Sequence, residues 1–287
     1  MKDKPKNFDL FGNEIITDPL LREKFLEPPF SVLDTKTGSW QRRKKHWMSI
    51  GMKSEVGRDS VVINMDTTAK EKNTANYVSI FDPALCEVLY NWFCVGGKKI
   101  FDPFAGGSVR GIVANYLGYE YTGVDIRPEQ IDSNHEQAKT ILGIEKSPKW
   151  IIGDTDEVLN EYKEPCDFVF SCPPYADLEV YSDLEGDISN MNYTEFLISY
   201  ESIIKKSCAL LRPGGYACFV VGEVRNKKGD YIGFVPDTIR AFQKAGMKYY
   251  NEAILLNPVA SASMRADGNM KSQKLVKIHQ NVLVFRK

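Results

Sequence analysis

The segment from Lys98 to Asp125 constrains this chain more than any other. Lys98-Lys99-Ile100-Phe101-Asp102 is a short apolar run ending in an acid, and Pro103-Phe104-Ala105-Gly106-Gly107-Ser108 follows as a tight loop. Residues 109–118 carry a helical pattern, and Tyr121-Thr122-Gly123-Val124-Asp125 is a second apolar run ending in an acid. Strand, loop, helix and strand in that order predict a parallel α/β sheet, whose ligands sit outside the carboxyl ends of the strands. Two adjacent glycines let the backbone turn and approach a ligand, and the helix that follows points its first amides back at it. Asp125, followed by Ile126, reaches the same edge, where an acid commonly accepts ribose hydroxyls.

The loop does not spell G-x-G-x-x-G and lacks the G-K-[ST] ending of a phosphate-binding loop, so neither a pyrophosphate nor a nucleoside triphosphate suits it. An adenosyl ligand without phosphates fits better, and S-adenosylmethionine is one. The run from Asp102 to Gly107 resembles the cofactor loop of amino-methyltransferases, whose pattern is Asp-Pro-Phe, a small residue and then glycine. That resemblance makes Asp102, Phe104, Ala105, Gly106, Gly107 and Ser108, with Asp125 and Ile126, the expected cofactor-binding residues. A purely structural turn between strand and helix is the other reading of the same glycines.

With 287 residues, 43% of them hydrophobic and 26% charged, the chain can bury a full core. No apolar run approaches the roughly 20 residues that span a bilayer, and Met1-Lys2-Asp3-Lys4-Pro5-Lys6 lacks the apolar stretch of a secretory signal. A cytoplasmic protein with no membrane partner is expected. Cys86, Cys94, Cys166, Cys172, Cys208 and Cys218 are scattered, with no C-x-x-C pair and no clustering with His46, His135 or His279, so reduced thiols and no metal are expected. A formal net charge of −1 excludes a generally basic surface, so nucleic-acid contact has to come from local patches.

Residues 1–75 show no strong periodicity and read as a loosely structured arm, with residues 76–287 as the catalytic domain. Within the arm, Ser39-Trp40-Gln41-Arg42-Arg43-Lys44-Lys45-His46-Trp47 places four successive cations between two tryptophans. Trp40, Arg42 and Arg43 are candidate nucleic-acid contacts, by phosphate attraction and base stacking. The alternative is a solvated charged helix whose tryptophans dock on the core. Asp82 at an N-cap and Pro83 at the first helical position start a helix carrying Leu85, Val88, Leu89, Trp92 and Phe93.

Beyond Asp125, a helix over 128–142 stops at Gly143, and Lys149-Trp150-Ile151-Ile152-Gly153-Asp154 is a third strand with an acid at its end. Asp154 is the candidate acceptor for an adenine amino group, although exposed strand ends often carry Asp.

The fourth strand, Asp167-Phe168-Val169-Phe170-Ser171, runs into Cys172-Pro173-Pro174-Tyr175. N4-cytosine and N6-adenine methyltransferases carry [Asp/Asn/Ser]-Pro-Pro-[Tyr/Phe/Trp] at this place, and here it stands in register with the glycine loop of the first strand. The chemistry accounts for the residue types. An exocyclic amine is a weak nucleophile because its lone pair is delocalised into the ring. Consecutive prolines fix the backbone and leave carbonyls aimed at the amine without competing amide donors. An aromatic ring at Tyr175 stacks on an extruded base. Cys172 departs from the pattern, since a thiol accepts hydrogen bonds more weakly than the Asp, Asn or Ser found there. Asp177 and Glu179, in the acidic and aromatic stretch that follows, are candidates for contact with the amine, and a merely solvated loop is the alternative.

Asn192 caps a long helix that ends at Arg212-Pro213-Gly214-Gly215. A strand over 216–221, a helix over 234–245 and strands over 249–256 and 281–285 complete a seven-stranded, mostly parallel sheet whose last strand inserts antiparallel. Residues 257–277 read as a flexible basic loop in which Arg265 is a candidate backbone contact, or as a mobile surface hairpin.

Taken together, the chain resembles the phage and prophage DNA methylases related to N4/N6 amino-methyltransferases, from about Asn76 to the C-terminus. The resemblance implies a Rossmann-like S-adenosylmethionine-dependent methyltransferase fold. It also implies Phe81 beside the adenosyl group, Cys172, Pro173, Pro174 and Tyr175 at the reacting amine, and methyl transfer to a flipped base, with Asp177 a further catalytic candidate from the acidic stretch. DNA is the expected partner, ahead of RNA; monomer and homodimer both stay open, as does a decayed homologue that only binds nucleic acid.

Overall fold

The computed structural model describes residues 18–53, 62–63, 81–143, 147–175, 179–180, 184, 186–226, 228–259 and 262–287. In chain order its elements are α1 (Asp18–Phe25), β1 (Val32–Asp34), α2 (Gly38–Ser49), β2 (Val62–Ile63), α3 (Pro83–Phe93), β3 (Lys99–Asp102), α4 (Val109–Tyr116), β4 (Glu120–Asp125), α5 (Pro128–Leu142), β5 (Lys149–Ile152), α6 (Thr155–Glu161), β6 (Cys166–Ser171), β7 (Glu179–Val180), a 3₁₀ turn (Ile188–Asn190), α7 (Tyr193–Leu210), β8 (Leu211–Val221), α8 (Phe234–Lys244), β9 (Lys248–Leu256), α9 (Ala262–Lys271) and β10 (His279–Arg286).

The main sheet runs β1-β9-β10-β8-β6-β3-β4-β5. Strands β8, β6, β3, β4 and β5 pair parallel, and β10 enters antiparallel between β8 and β9. Seven of these strands are those expected from periodicity, including the antiparallel last one. The eighth is β1, which adds parallel to the edge strand β9 through Val32↔Ile254 to Asp34↔Leu256. A separate two-stranded ribbon joins β2 to β7.

Alternation along each strand sends side chains into two cores. Phe168, Phe170, Cys218, Val220, Val282 and Val284 pack under α2, α3, α4 and α5. Val169, Ala217, Phe219, Val221, Leu283 and Phe285 pack under α6, α7 and α8. The central strands are therefore apolar on both faces, as parallel strands covered by helices must be.

The stretch from Asp18 to Ser49 differs from the loosely structured arm expected there. Trp40 and Trp47 are both only 1% exposed and belong to the first core. Their indole N–H groups donate to Asp82 Oδ2 (3.1 Å) and Glu87 Oε2 (3.1 Å), which fastens α2 to α3. The apolar payload of two tryptophans, each with its one polar atom satisfied by a neighbouring helix, explains why so charged a segment folds against the sheet.

Candidate active site

The two corners singled out in the sequence open into one cavity of about 680 Å³ at the carboxyl ends of β3, β4, β6 and β8. That is the size of a small-molecule site. Phe104, Gly106, Asp125, Ile126 and Asp154 line it together with Phe81, Arg110, Cys172, Pro173, Pro174 and Tyr175.

Gly106 adopts φ +50, a conformation that a residue with a side chain rarely takes, and its N–H donates to Asp125 Oδ2 at 2.8 Å. The other carboxylate oxygen accepts the N–H of Arg127 at 2.9 Å. Burial pushes the Asp125 carboxyl above its ordinary value, while Arg127 and the two amides oppose the shift. A polar ladder on α5 steadies the corner from behind. Arg127 donates to Gln130, Gln130 to Asn134, and Asn134 Nδ2 to the Gly106 carbonyl at 2.8 Å.

Several expected cofactor contacts lie elsewhere. Asp102 is fully buried and accepts from Phe104 N–H, Arg110 Nε (2.5 Å), Tyr121 Oη (2.7 Å) and Ser171 Oγ (2.5 Å). It is the anchor of the loop, and it does not line the cavity. Ser108 Oγ donates to Gln137 Oε1 at 2.6 Å, on the α5 side, and Ala105 is fully buried with its N–H on the Val124 carbonyl. Neither these two nor Gly107 lines the cavity. Asp154 does, but one of its oxygens caps α6 through Asp156 N–H at 2.8 Å.

Arg110 was not legible as a site residue. Its Nη2 donates to the carbonyls of Phe104 (2.5 Å) and Ala105 (2.8 Å), and its guanidinium lies 4.7 Å from the centroid of the Phe81 ring. Burial is the largest single influence and lowers its pKa, but the Asp102 charge and hydrogen bond, with Tyr121 and Cys172, together outweigh it and the net shift is upward. One buried cation thus joins the end of β3, the loop and the aromatic wall.

At the opposite corner, Tyr175 is half-buried, stands edge-on to Phe234 (5.8 Å between centroids, 70°) and accepts at Oη from Gln280 Nε2 (3.1 Å). Gly222 lies behind it, where an added Cβ would come within 3.3 Å of the hydroxyl. Asp177 lies outside the described residues, and of Glu179 only the backbone, in β7, is described.

The candidate nucleic-acid contacts divide. Trp40 is buried and tied to Asp82, so its ring serves packing and not stacking on a base. Arg43 pairs with Glu87 at 2.7 Å, whereas Arg42 is exposed. Thr35, Gln41 and Lys44 of the N-terminal segment line the cavity instead, a role the sequence pattern did not signal. Arg265 also lines it, carried on α9 where a flexible loop was expected. Lys277, His279 and Gln280 complete that wall with Glu223. Burial lowers the pKa of Lys277, opposed by Glu223, and burial with the nearby Lys277 lowers that of His279.

Among the described residues no helix is long and apolar enough to cross a membrane, and no three His, Cys, Asp or Glu side chains gather as metal ligands. No protein-family model and no curated protein matches the sequence. Among solved structures, TrmN from Thermus thermophilus is similar over 72% of this chain at 13% identity and a TM-score of 0.48; the match spans 49% of TrmN, so this chain covers about half of that relative. Magnesium protoporphyrin IX methyltransferase from Synechocystis PCC 6803, solved with bound SAM, is similar over 71% of this chain and 79% of its own at 11% identity and a TM-score of 0.45. A second Thermus thermophilus chain, named as a candidate DNA modification methylase, overlaps 47% of this chain and 50% of its own at 23% identity, with a TM-score of 0.35. At such scores these likenesses assign no substrate or cofactor, and the functional reading rests on the chain's own cavity.

Proposed function

We propose that this protein is an S-adenosylmethionine-dependent methyltransferase acting on an exocyclic amine, N4 of cytosine or N6 of adenine, of a DNA base turned out of its stack. The observation that carries this reading is the shared cavity: the glycine corner with Asp125 and the Cys172-Pro173-Pro174-Tyr175 turn line the same space.

The lining fits the cofactor. Asp125 can offer a carboxylate to ribose hydroxyls and Asp154 a second one to an adenine amine, and Phe104, Val124 and Ile126 add apolar lining. When bound, S-adenosylmethionine supplies an activated methyl group. The chain's own residues do the rest. Pro173 and Pro174 fix a rigid turn whose carbonyls accept from the target amine, and Tyr175, held by Gln280, offers its ring to the base. Holding the amine in line accounts for much of the acceleration such a site can provide.

The test has two parts. Labelled cofactor should bind the purified protein, and nucleosides from treated DNA, analysed by mass spectrometry, should contain N4-methylcytosine or N6-methyladenine. Cofactor binding with no methylated base in any DNA would refute the DNA-amine reading, and methylated bases in RNA alone would move the substrate to RNA.

A further inference from the structure

Arg43 and Lys44 on α2 are ion-paired with Glu87 and Asp82. A second group of cations, on and around the chain that follows the cavity-lining Glu223 and Val224, is in none of the ion pairs among the described residues. Directly after β8, the chain makes a tight turn in which Arg225 and Tyr231 form an antiparallel bridge, Asn226 N–H donates to the Asp230 carbonyl, and Ile232 N–H to that of Val224. Its base is riveted to α8, because Glu223 Oε1 accepts the amides of Val224 (3.1 Å), Gly233 (3.0 Å) and Phe234 (2.8 Å). The Arg225 guanidinium lies 3.9 Å from the centroid of the Tyr231 ring and donates to the Gly229 carbonyl at 2.6 Å. Tyr231 is still 50% exposed.

Lys274, on the segment between α9 and β10, lies across this turn, occupying the space a side chain at Gly229 would need, where φ is +95. Three residues later Lys277 lines the cavity, as does Arg265. Lys228 is exposed on the turn itself. Among the described residues, none of the ion pairs involves Arg225, Lys228, Arg265, Lys274 or Lys277. The exposed acid of the turn, Asp230, leaves the group cationic. Five cations, Arg225, Lys228, Arg265, Lys274 and Lys277, against Glu223 and Asp230 make this rim net cationic, and on a chain of net charge −1 such a local excess calls for an anionic partner.

We propose that the turn residues 224–226 and 228–232, with Lys274, form a phosphate grip that holds the nucleic-acid backbone beside the cavity. Arg225, Lys228 and Lys274 contact phosphates, and the exposed part of Tyr231 lies against the strand. This rests on the reading of the cavity as a nucleic-acid methyltransferase site. Lys277 and Arg265 continue the same charge into the site.

The experiment is fluorescence anisotropy of the full chain with a fluorescein-labelled DNA duplex over a salt series. The Arg225→Gln/Lys228→Gln/Lys274→Gln variant is compared with Lys139→Gln/Lys205→Gln/Lys248→Gln, which removes the same formal charge from exposed positions elsewhere. Each phosphate contact contributes about 0.9 to the slope of log K against log salt, so the first variant should lose about 2 to 3 from that slope and at least about tenfold in affinity at low salt. The second should match the parent, and both should bind labelled cofactor as the parent does. Should the triple variant fail to fold, Lys228→Gln/Lys274→Gln, which leaves the Arg225 contacts intact, should lose about 2 from the slope. Equal losses in rim and control variants, an unchanged slope, or a parent without salt-dependent binding would overturn the grip. If the parent methylates DNA while the rim variants bind as it does, the rim falls and the enzyme stands. If the rim variants lose binding and the parent methylates nothing, the reverse holds.

Discussion

Replacing Arg110 with methionine removes the cation beside a fully buried carboxylate. Asp102 would keep the hydroxyls of Tyr121 and Ser171 and the amide of Phe104, but it would lose its only ion-pair partner among the described residues. The carbonyls of Phe104 and Ala105 would lose the Nη2 donor, and Phe81 would lose the guanidinium at its face. Breaking a buried pair from one side costs about 3–5 kcal/mol, because a charge stays behind without compensation. A domain holds only about 5–15 kcal/mol in total. Arg110→Met should therefore remove a large share of the protein's stability. The double variant Asp102→Asn/Arg110→Met removes the stranded charge as well, so its loss should fall short of the sum of the single losses by about 1–3 kcal/mol. Urea unfolding followed by tryptophan fluorescence measures all of these, and cofactor titration on the folded variants reads whether the loop still closes. A loss under about 1 kcal/mol for Arg110→Met, or strict additivity in the double variant, would refute the view that this pair holds the corner together.

Asp125→Ala should weaken labelled-cofactor binding roughly 10- to 100-fold, the worth of about 1.5–3 kcal/mol for hydrogen bonds to a charged acceptor. Because burial raises the Asp125 carboxyl above 3.8, affinity in the parent should fall as pH drops through that raised value, and Asp125→Asn should flatten the profile. Tyr175→Ala should keep cofactor affinity and lower turnover; Gln280→Leu should lower turnover less, through a looser ring, and loss of cofactor binding in either would show the two corners are not divided as described. The His279 pKa is lowered from 6.5, so the unfolded chain takes up the proton first and stability should decline as pH falls through 6.5. His279→Gln should remove that slope in thermal-unfolding scans, and an unchanged slope would place the titration elsewhere.

The parallel order of the sheet, the helix over 128–142, the Asp82 cap and the two loop corners were all readable from the chain. Each element is written in a local run of the chain, as a period of apolar positions, a capping side chain or a glycine where φ must be positive. Strand β1 was not readable, because three residues carry no period and it forms only against β9, more than two hundred positions away. Trp40 and Arg43 looked like nucleic-acid contacts because cations between aromatics carry no label saying which acid will meet them. Asp82 and Glu87 on the next helix met them instead. Arg110 sits in a helical run that reads simply as the helix after a glycine loop, and only the fold brings it onto Asp102 and Phe81.

Backbone preference and hydrophobic period act between near neighbours, so the amino-acid order alone specifies most of the elements and the two loop corners that line the cavity. Which donor finds which acceptor depends on groups far apart in the chain, such as Gln280 and Tyr175 or Ser171 and Asp102, and burial makes each such match decisive because a group left unpaired there has no water to turn to.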